Sequence, residues 1–137
     1  MKNSLSSNSD VSYILRLGSG DIEGRLFTQR WLYVGVRREW TRGSKVLFAG
    51  KVDVLLGYGV IAKVQQIEEL DAQEKEFCLQ RNSYAKIFFS SLTRFVPPVP
   101  VEVTSIASLN PMALHGSRLS AKEASEIEGL ANAKISF

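Results

Sequence analysis

The stretch GSKVLFAGKVDVLLGYGVIAKV, residues 43–64, decides the fold of this chain. Its β-branched and aromatic residues favour strands, and Gly43 and Gly50 bound the first apolar run. The pattern predicts a hairpin of two strands at the centre of the fold. Gly57 and Gly59 interrupt the second strand, which predicts either a bend that serves packing or a place where a ligand meets the backbone.

The length and composition indicate one globular domain. The chain has 137 residues, of which 45% are hydrophobic and 23% charged, an ordinary balance for a protein with a single core. Residues 1–11 are rich in Ser and Asn and are expected to be a disordered tail, with residues 12–137 forming the domain. Neither a membrane-spanning run nor a signal peptide is apparent, which predicts a cytoplasmic protein without a membrane partner.

Cysteine and histidine are too scarce for several kinds of site. The single cysteine, Cys78, excludes an internal disulfide and a cysteine-cluster zinc site. The single histidine, His115, excludes a histidine-rich metal site. We therefore expect no metal and no cofactor, with Cys78 as a small buried residue and His115 as an ordinary loop residue.

The remaining segments alternate between short strands and helices. The patterns predict strands over residues 13–17, 31–36, 84–89, 92–96 and 101–104, and helices over residues 21–29, 65–80 and from residue 121 onward. Asp71 with Glu74, and Ser120 with Glu123, form capping signals for the last two helices. Phe77 and Cys78 are expected to face the core, and the prolines of residues 97–100 to leave the sheet ladder.

Basic residues are concentrated in the first half of the domain. Residues 16–51 contain eight Arg or Lys residues and three acidic ones, whereas residues 52–80 are acidic. Within the basic part, Arg37, Arg38 and Arg42 surround Trp40 in a polar loop. Arginine binds phosphates and an aromatic face stacks on any base, so this loop predicts contact with a nucleic acid. The alternative is that Trp40 caps the core and the arginines are solvated.

No catalytic motif is present in the sequence. It has no nucleophile elbow, no Walker sequence, no dinucleotide fingerprint and no paired-histidine metal motif. An enzyme is therefore the weaker class, although a site assembled from distant residues would escape detection by local patterns.

Several motifs together resemble the PUA-like superfamily, which includes the EVE, ASCH and YTH domains. The similar features are the run GSKVLF at residues 43–48, the run GYGVI at residues 57–61, LTRF followed by PPV at residues 92–99, and NPMA followed by RLS at residues 110–120. The last of these is similar to an uncharacterised, chiefly archaeal PUA-like group. Ser44 stands where many members have Asp. The ASCH signature of Gly, Lys and Glu near the first helix is not matched, which argues against the amidohydrolase chemistry suspected for that subgroup.

The resemblance implies a small α+β protein, a PUA-like pseudo-barrel of about five to seven mostly antiparallel strands with short helices. It also implies that the domain binds RNA, with a flipped or modified nucleotide held beside residues 57–59. The residues that we expect to contact RNA are Arg37, Arg38, Trp40, Arg42, Lys45, Tyr58 and Arg94. The alternatives are an enzyme that acts on a nucleotide or nucleoside, and a protein-interaction module that uses an edge strand.

Overall fold

A computed structural model describes residues 12–17, 20–50, 53–108 and 118–137, with only the backbone for residues 20–23 and 108. The predicted tail, His115 and part of the motif at residues 110–120 lie outside the described residues. The strands are β1 (Ser12–Arg16), β2 (Trp31–Val34), β3 (Lys45–Ala49), β4 (Val54–Gln66), β5 (Ala85–Pro100), β6 (Arg118–Leu119) and β7 (Ala133–Ser136). The helices are α1 (Gly20–Gln29), α2 (Ala72–Gln80) and α3 (Ala121–Leu130), with 3-10 turns at Ile67–Glu69, Val101–Val103 and Ser105–Ser108.

The strands form one seven-stranded sheet in the order β2-β5-β4-β3-β1-β6, with β7 also paired to β5. All pairs are antiparallel except β1 with β3, which confirms the predicted α+β class. The sheet does not close into a barrel within the described part of the chain, because β6 pairs only with β1 and β2 pairs only with β5. The predicted pseudo-barrel is therefore an open sheet and not a closed barrel.

The predicted central hairpin is confirmed as β3 and β4, which pair directly from Lys45↔Val60 to Ala49↔Leu55. The two strands also supply fully buried side chains to both faces of the sheet. Phe48 packs on the α1 side, where its ring lies 6.2 Å from that of Phe27, and Leu47 packs on the α3 side. Two hydrophobic clusters, one on each face, therefore hold the domain together.

The helix caps follow the sequence signals. The Ser120 side chain accepts a hydrogen bond from the backbone N–H of Glu123, whose carboxylate accepts one from the backbone N–H of Ser120. The Asp71 carboxylate likewise accepts from the backbone N–H of Glu74. Each reciprocal or single cap satisfies N–H groups that the first helical turn leaves without a partner. The caps predicted at Asp71 and Ser120 are thus confirmed.

Strand β5 is longer than the sequence predicts. It continues through residues 90–91 and 97–100, where we expected a break and a departure from the ladder. Ser90 lies at a register shift in the pairing with β4, and no residue of β4 pairs with Pro97 or Pro98. Because a residue in a bulge needs no ladder hydrogen bond, proline is tolerated there without ending the strand.

Three local predictions are wrong. Residues 65–66 still belong to β4, so α2 begins only at residue 72. The predicted strand at residues 101–104 is a 3-10 turn at Val101–Val103 followed by a bend, because Val101 and Ile106 turn inward to cover the α3 side of the sheet. Phe77 is 38% exposed, whereas its neighbour Cys78 is fully buried as predicted. Burial disfavours the thiolate and raises the pKa of the Cys78 thiol.

Candidate nucleic-acid interface

The predicted basic loop, residues 37–42, has one buried side chain and is otherwise exposed. We call it the arginine loop. Trp40 is 7% exposed, whereas Arg37, Arg38 and Arg42 are exposed. The Trp40 indole Nε1–H donates to the Tyr84 hydroxyl at 2.7 Å and lies 3.2 Å from the Val36 carbonyl oxygen. The loop therefore presents three guanidinium groups from a fixed support.

Tyr84, the residue before β5, contacts the arginine loop at several points. The Arg37 guanidinium lies over its ring, 4.3 Å from the centroid, a contact worth about 0.5–1 kcal/mol at an exposed site. The Tyr84 hydroxyl accepts a hydrogen bond from the backbone N–H of Arg38 at 3.1 Å. The path of the loop is therefore set by one tyrosine as well as by Trp40.

Trp40 belongs to the core. Its ring packs edge-on against Tyr13 with centroids 5.0 Å apart, and it is part of the hydrophobic cluster on the α1 side. A ring so enclosed offers no open face to a base, so we assign Trp40 an anchoring role and do not assign it base stacking. This matches the alternative that the sequence left open.

Lys45 and Tyr58 lie together on the opposite side of the sheet. Lys45 forms an ion pair with Glu128 of α3, and its ammonium lies 4.6 Å from the centroid of the Tyr58 ring. The Tyr58 ring also lies 6.0 Å from that of Phe95. These contacts occupy both side chains within the domain.

Arg94 lies apart from both the arginine loop and the Lys45–Tyr58 contact. It is exposed on β5, with its guanidinium carbon 5.5 Å from the centroid of the Phe27 ring of α1. The seven predicted residues are thus divided among the arginine loop, the Lys45–Tyr58 contact with α3, and the Arg94 contact with α1. The structure does not bring them into one site.

Gly57 and Gly59 are explained by strand packing. Gly57 has φ +154°, and a Cβ there would lie 2.0 Å from the Thr93 carbonyl oxygen. A Cβ at Gly59 would lie 2.7 Å from a ring carbon of Phe89. Both positions therefore need glycine to let β4 approach β5, so of the two alternatives left open above the geometry supports packing.

A row of aromatic side chains lies on the outer surface of the sheet, and the sequence patterns alone did not reveal it. Trp31 and Tyr33 point outward from β2, with ring centroids 5.1 Å apart. Tyr33 continues the row to Phe77 of α2 at 5.3 Å. Phe88 of β5 is the cross-strand partner of Trp31. We call Phe77, Tyr33, Trp31 and Phe88 the aromatic row; the first is exposed and the others are half-buried.

Lys86 is a fixed cation at the centre of the aromatic row. Its ammonium lies 4.3 Å from the Trp31 ring centroid and 5.1 Å from that of Phe88. It forms an ion pair with Glu74 at 2.6 Å, and the side chain is only 13% exposed. The same carboxylate accepts a hydrogen bond from the Tyr33 hydroxyl at 2.7 Å. Glu74 thus joins α2 to the sheet.

The pKa values in this cluster follow from those contacts. Hydrogen bonds from Lys86 and Tyr33 hold the pKa of Glu74 below its usual range. Burial, and then the hydrogen bond to the Glu74 carboxylate, raises the pKa of the Tyr33 hydroxyl. Near neutral pH Glu74 is therefore a carboxylate and Tyr33 a neutral phenol.

Two exposed cations stand at the ends of the aromatic row. The Arg81 guanidinium lies 3.9 Å from the centroid of Phe77, and the Lys63 ammonium lies 5.1 Å from that of Phe88. Neither side chain forms an ion pair with any residue that the structure describes. The sequence shows that Trp31 and Tyr33 are two residues apart, as are Lys86 and Phe88, so each pair lies on one face of its strand. Only the strand register brings the two pairs together.

The described ranges contain neither a cluster of metal ligands nor a helix suited to a bilayer. Within them, no three His, Cys, Asp or Glu side chains are grouped so that they could hold a metal ion. None of the helices described is both long and apolar enough to cross a membrane.

Comparison with solved structures relates this fold to known proteins. A serine-to-alanine mutant of the ASCH protein from Zymomonas mobilis superimposes with a TM-score of 0.64, covering 91% of this chain and 99% of that one. The chain therefore has the fold of the ASCH proteins. A second structure of the Zymomonas ASCH protein gives 0.61, covering 88% and 96%, and a tyrosine-to-phenylalanine mutant gives 0.62, covering 88% and 99%.

The ASCH fold belongs to the PUA-like superfamily, so the predicted PUA-like fold is confirmed. Identity to these structures is 10%, so the likeness concerns the fold and not the chemistry. No protein-family model and no curated protein matches the sequence. The sequence does not match the ASCH signature near the first helix, which argues against amidohydrolase chemistry. That remains a prediction, because a shared fold does not test chemistry.

Proposed function

We propose that this protein is an RNA-binding domain whose arginine loop contacts the phosphate backbone. The observation that carries the proposal is the geometry of that loop, in which Arg37, Arg38 and Arg42 are exposed around an indole anchored to Tyr84. Guanidinium groups match phosphate oxygens in charge and in bidentate geometry. A loop fixed before binding loses less conformational entropy on contact with a ligand than a mobile one does.

The fold and the charge distribution support the same function. RNA binding is what the resemblance to the PUA-like superfamily implies, and the concentration of positive charge in residues 16–51 suits a polyanionic ligand. Lys45 and Arg94 lie away from the loop, and each contacts a ring within the domain. We therefore propose that the arginine loop makes the main contacts with RNA.

A flipped or modified nucleotide beside residues 57–59 remains a separate hypothesis. Tyr58 is half-buried, and its ring is already in contact with Lys45 and Phe95. A nucleotide at that position would have to displace Lys45 from the ring. Titration with single nucleosides, with a Lys45→Ala variant for comparison, tests this hypothesis independently of backbone binding.

The test of RNA binding is a salt titration of an Arg38→Ala/Arg42→Ala double variant. Because both side chains are exposed, the melting temperature should change little. RNA affinity should fall, and the slope of log affinity against log salt should become shallower by about 0.7 for each phosphate of a single strand that the variant no longer neutralises. A Lys122→Ala/Lys134→Ala variant, with two exposed lysines removed elsewhere, is the charge-matched control.

The comparison between the two double variants decides the proposal. Weaker binding in the loop variant, with the control close to the parent, would support it. Equal losses in both would show that binding depends on total charge rather than on the arginine loop, and unchanged affinity in the loop variant would remove the loop from the function.

A further inference from the structure

The aromatic row places four rings on one surface of the domain. Three of its four rings lie on two neighbouring strands, Trp31 and Tyr33 on β2 and Phe88 on β5, and the fourth, Phe77, lies on α2. Phe77 is 38% exposed, although a phenylalanine is usually buried. The rings on β2 contact each other and Phe77, and Phe88 lies beside them on the paired strand, with the Lys86 ammonium over the Trp31 and Phe88 rings.

We propose that the aromatic row is a stacking track for unpaired bases of single-stranded RNA. The inference rests on the proposed function and adds a second contact surface and a ligand class to it. Aromatic rings stack on every base because each base has a π-face, and rows of rings bordered by basic side chains are typical of surfaces that hold single strands. A duplex hides its base faces, so it would gain only the phosphate contacts.

The charges along the row complement a phosphate backbone. Arg81 and Lys63 lie at opposite ends, each over a ring of the row, and neither is neutralised by a carboxylate among the described residues. Lys86 in the centre is paired with Glu74 and nearly buried. Bases that stack on Phe77 and Phe88 would displace Arg81 and Lys63 from those ring faces, and the two displaced cations would then contact the flanking phosphates.

The arginine loop continues from one end of this surface. Tyr84, which carries Arg37 over its ring, stands two residues before Lys86 along the chain, and its backbone N–H bonds to the carbonyl of Val34 at the end of β2. A strand that stacks on the row could therefore reach the loop with its next phosphates. The two surfaces together suit one extended single strand.

The test compares the affinity of a labelled single-stranded RNA of about ten nucleotides with that of the same RNA annealed to its complement. The variants are Phe77→Ala and Phe88→Ala. The control is Phe137→Ala, which removes a phenylalanine that is 43% exposed on another surface, where its ring contacts Phe27. Melting temperatures verify folding, and Phe77→Ala remains informative even if the half-buried Phe88 is needed for stability.

We expect the parent to bind the single strand about tenfold more tightly than the duplex, and each row variant to lose about tenfold on the single strand alone. The Phe137→Ala control should stay within about twofold of the parent. Equal parent affinity for single strand and duplex would overturn the track, as would row variants that behave like the control. If arginine-loop variants still weakened binding in that case, the proposed function would stand without the track; if the parent bound no RNA, both would fall.

Discussion

The indole of Trp40 donates a hydrogen bond to the hydroxyl of Tyr84 across 44 residues of sequence, at a distance of 2.7 Å. That bond, together with the one that the Arg38 backbone N–H donates to the same hydroxyl, ties the arginine loop to the start of β5. It also explains why a tryptophan stands among arginines: the ring fills the core while the charged neighbours remain outside. The loop is therefore shaped by the core, and its charges lie on the surface, where a ligand can reach them.

Removing the Tyr84 hydroxyl should loosen the loop without unfolding the domain. A Tyr84→Phe variant loses the bonds to the Trp40 indole and the Arg38 backbone, but the indole keeps the Val36 carbonyl as an acceptor. We expect the free energy of unfolding in urea to fall by about 1–2 kcal/mol. Tyr58→Phe is the control, since the Tyr58 hydroxyl makes no hydrogen bond to the described residues, and an equal loss in both variants would contradict this assignment.

Gly57 should tolerate no side chain. A Cβ there meets the Thr93 carbonyl oxygen at 2.0 Å, and the backbone has a φ that L residues rarely adopt. We expect Gly57→Ala to destabilise the fold by about 3 kcal/mol or more. Gly129→Ala in α3, where nothing lies within 4 Å of the added Cβ, should instead stabilise it by about 0.5–1 kcal/mol. A stable, folded Gly57→Ala protein that had lost only ligand binding would restore the functional interpretation of the glycines.

The Glu74 cluster should make stability depend on acid pH. The pKa of Glu74 is lowered in the folded state, so its contribution is present above its unfolded value of about 4.3 and is lost as the pH falls through the folded pKa. A Glu74→Gln variant should be less stable than the parent by about 1 kcal/mol at neutral pH. Urea denaturation across pH should show the two proteins converging in acid, with the exposed Glu102→Gln as control. A difference that did not change with pH would point to packing instead.

Removal of Lys63 and removal of Lys86, the two lysines that contact the aromatic row, should have different effects. Lys63 is exposed and forms no ion pair with the described residues, so Lys63→Ala should preserve stability and reduce the salt slope of single-strand binding by about 0.7. Because a base then no longer competes with Lys63 for the Phe88 ring, the affinity loss should shrink or reverse at high salt. Lys86→Ala leaves Glu74 without its ammonium partner, so its main effect should be a lower free energy of unfolding. Identical profiles for both variants would contradict these roles.

Local signals predicted much of the fold. The hairpin followed from its apolar runs and glycines, and the caps of α2 and α3 from Asp71 and Ser120, because each depends on residues close in sequence. The continuity of β5 did not follow, since bulges opposite β4 absorb Ser90 and the prolines. A bulge depends on a partner strand that local patterns do not reveal.

The candidate site was only partly predictable for the same reason. The exposed arginines follow from composition, but the burial of Trp40 depends on Tyr84, which lies far away in sequence. The aromatic row requires the register of β2 on β5 and the docking of α2 through Glu74. Phe77 was expected in the core because a phenylalanine usually is, and only the neighbouring Tyr33 and Arg81 show what it contacts instead.

The central claim is that this protein binds RNA through phosphate contacts. It is tested most directly by fluorescence anisotropy of a labelled single-stranded RNA titrated with the parent protein at about 50 mM and about 200 mM salt. With three phosphates contacted by the arginine loop, we predict saturable binding whose affinity falls about 20-fold between the two conditions. No binding at the lower salt concentration, or an affinity that does not change with salt, would contradict the account.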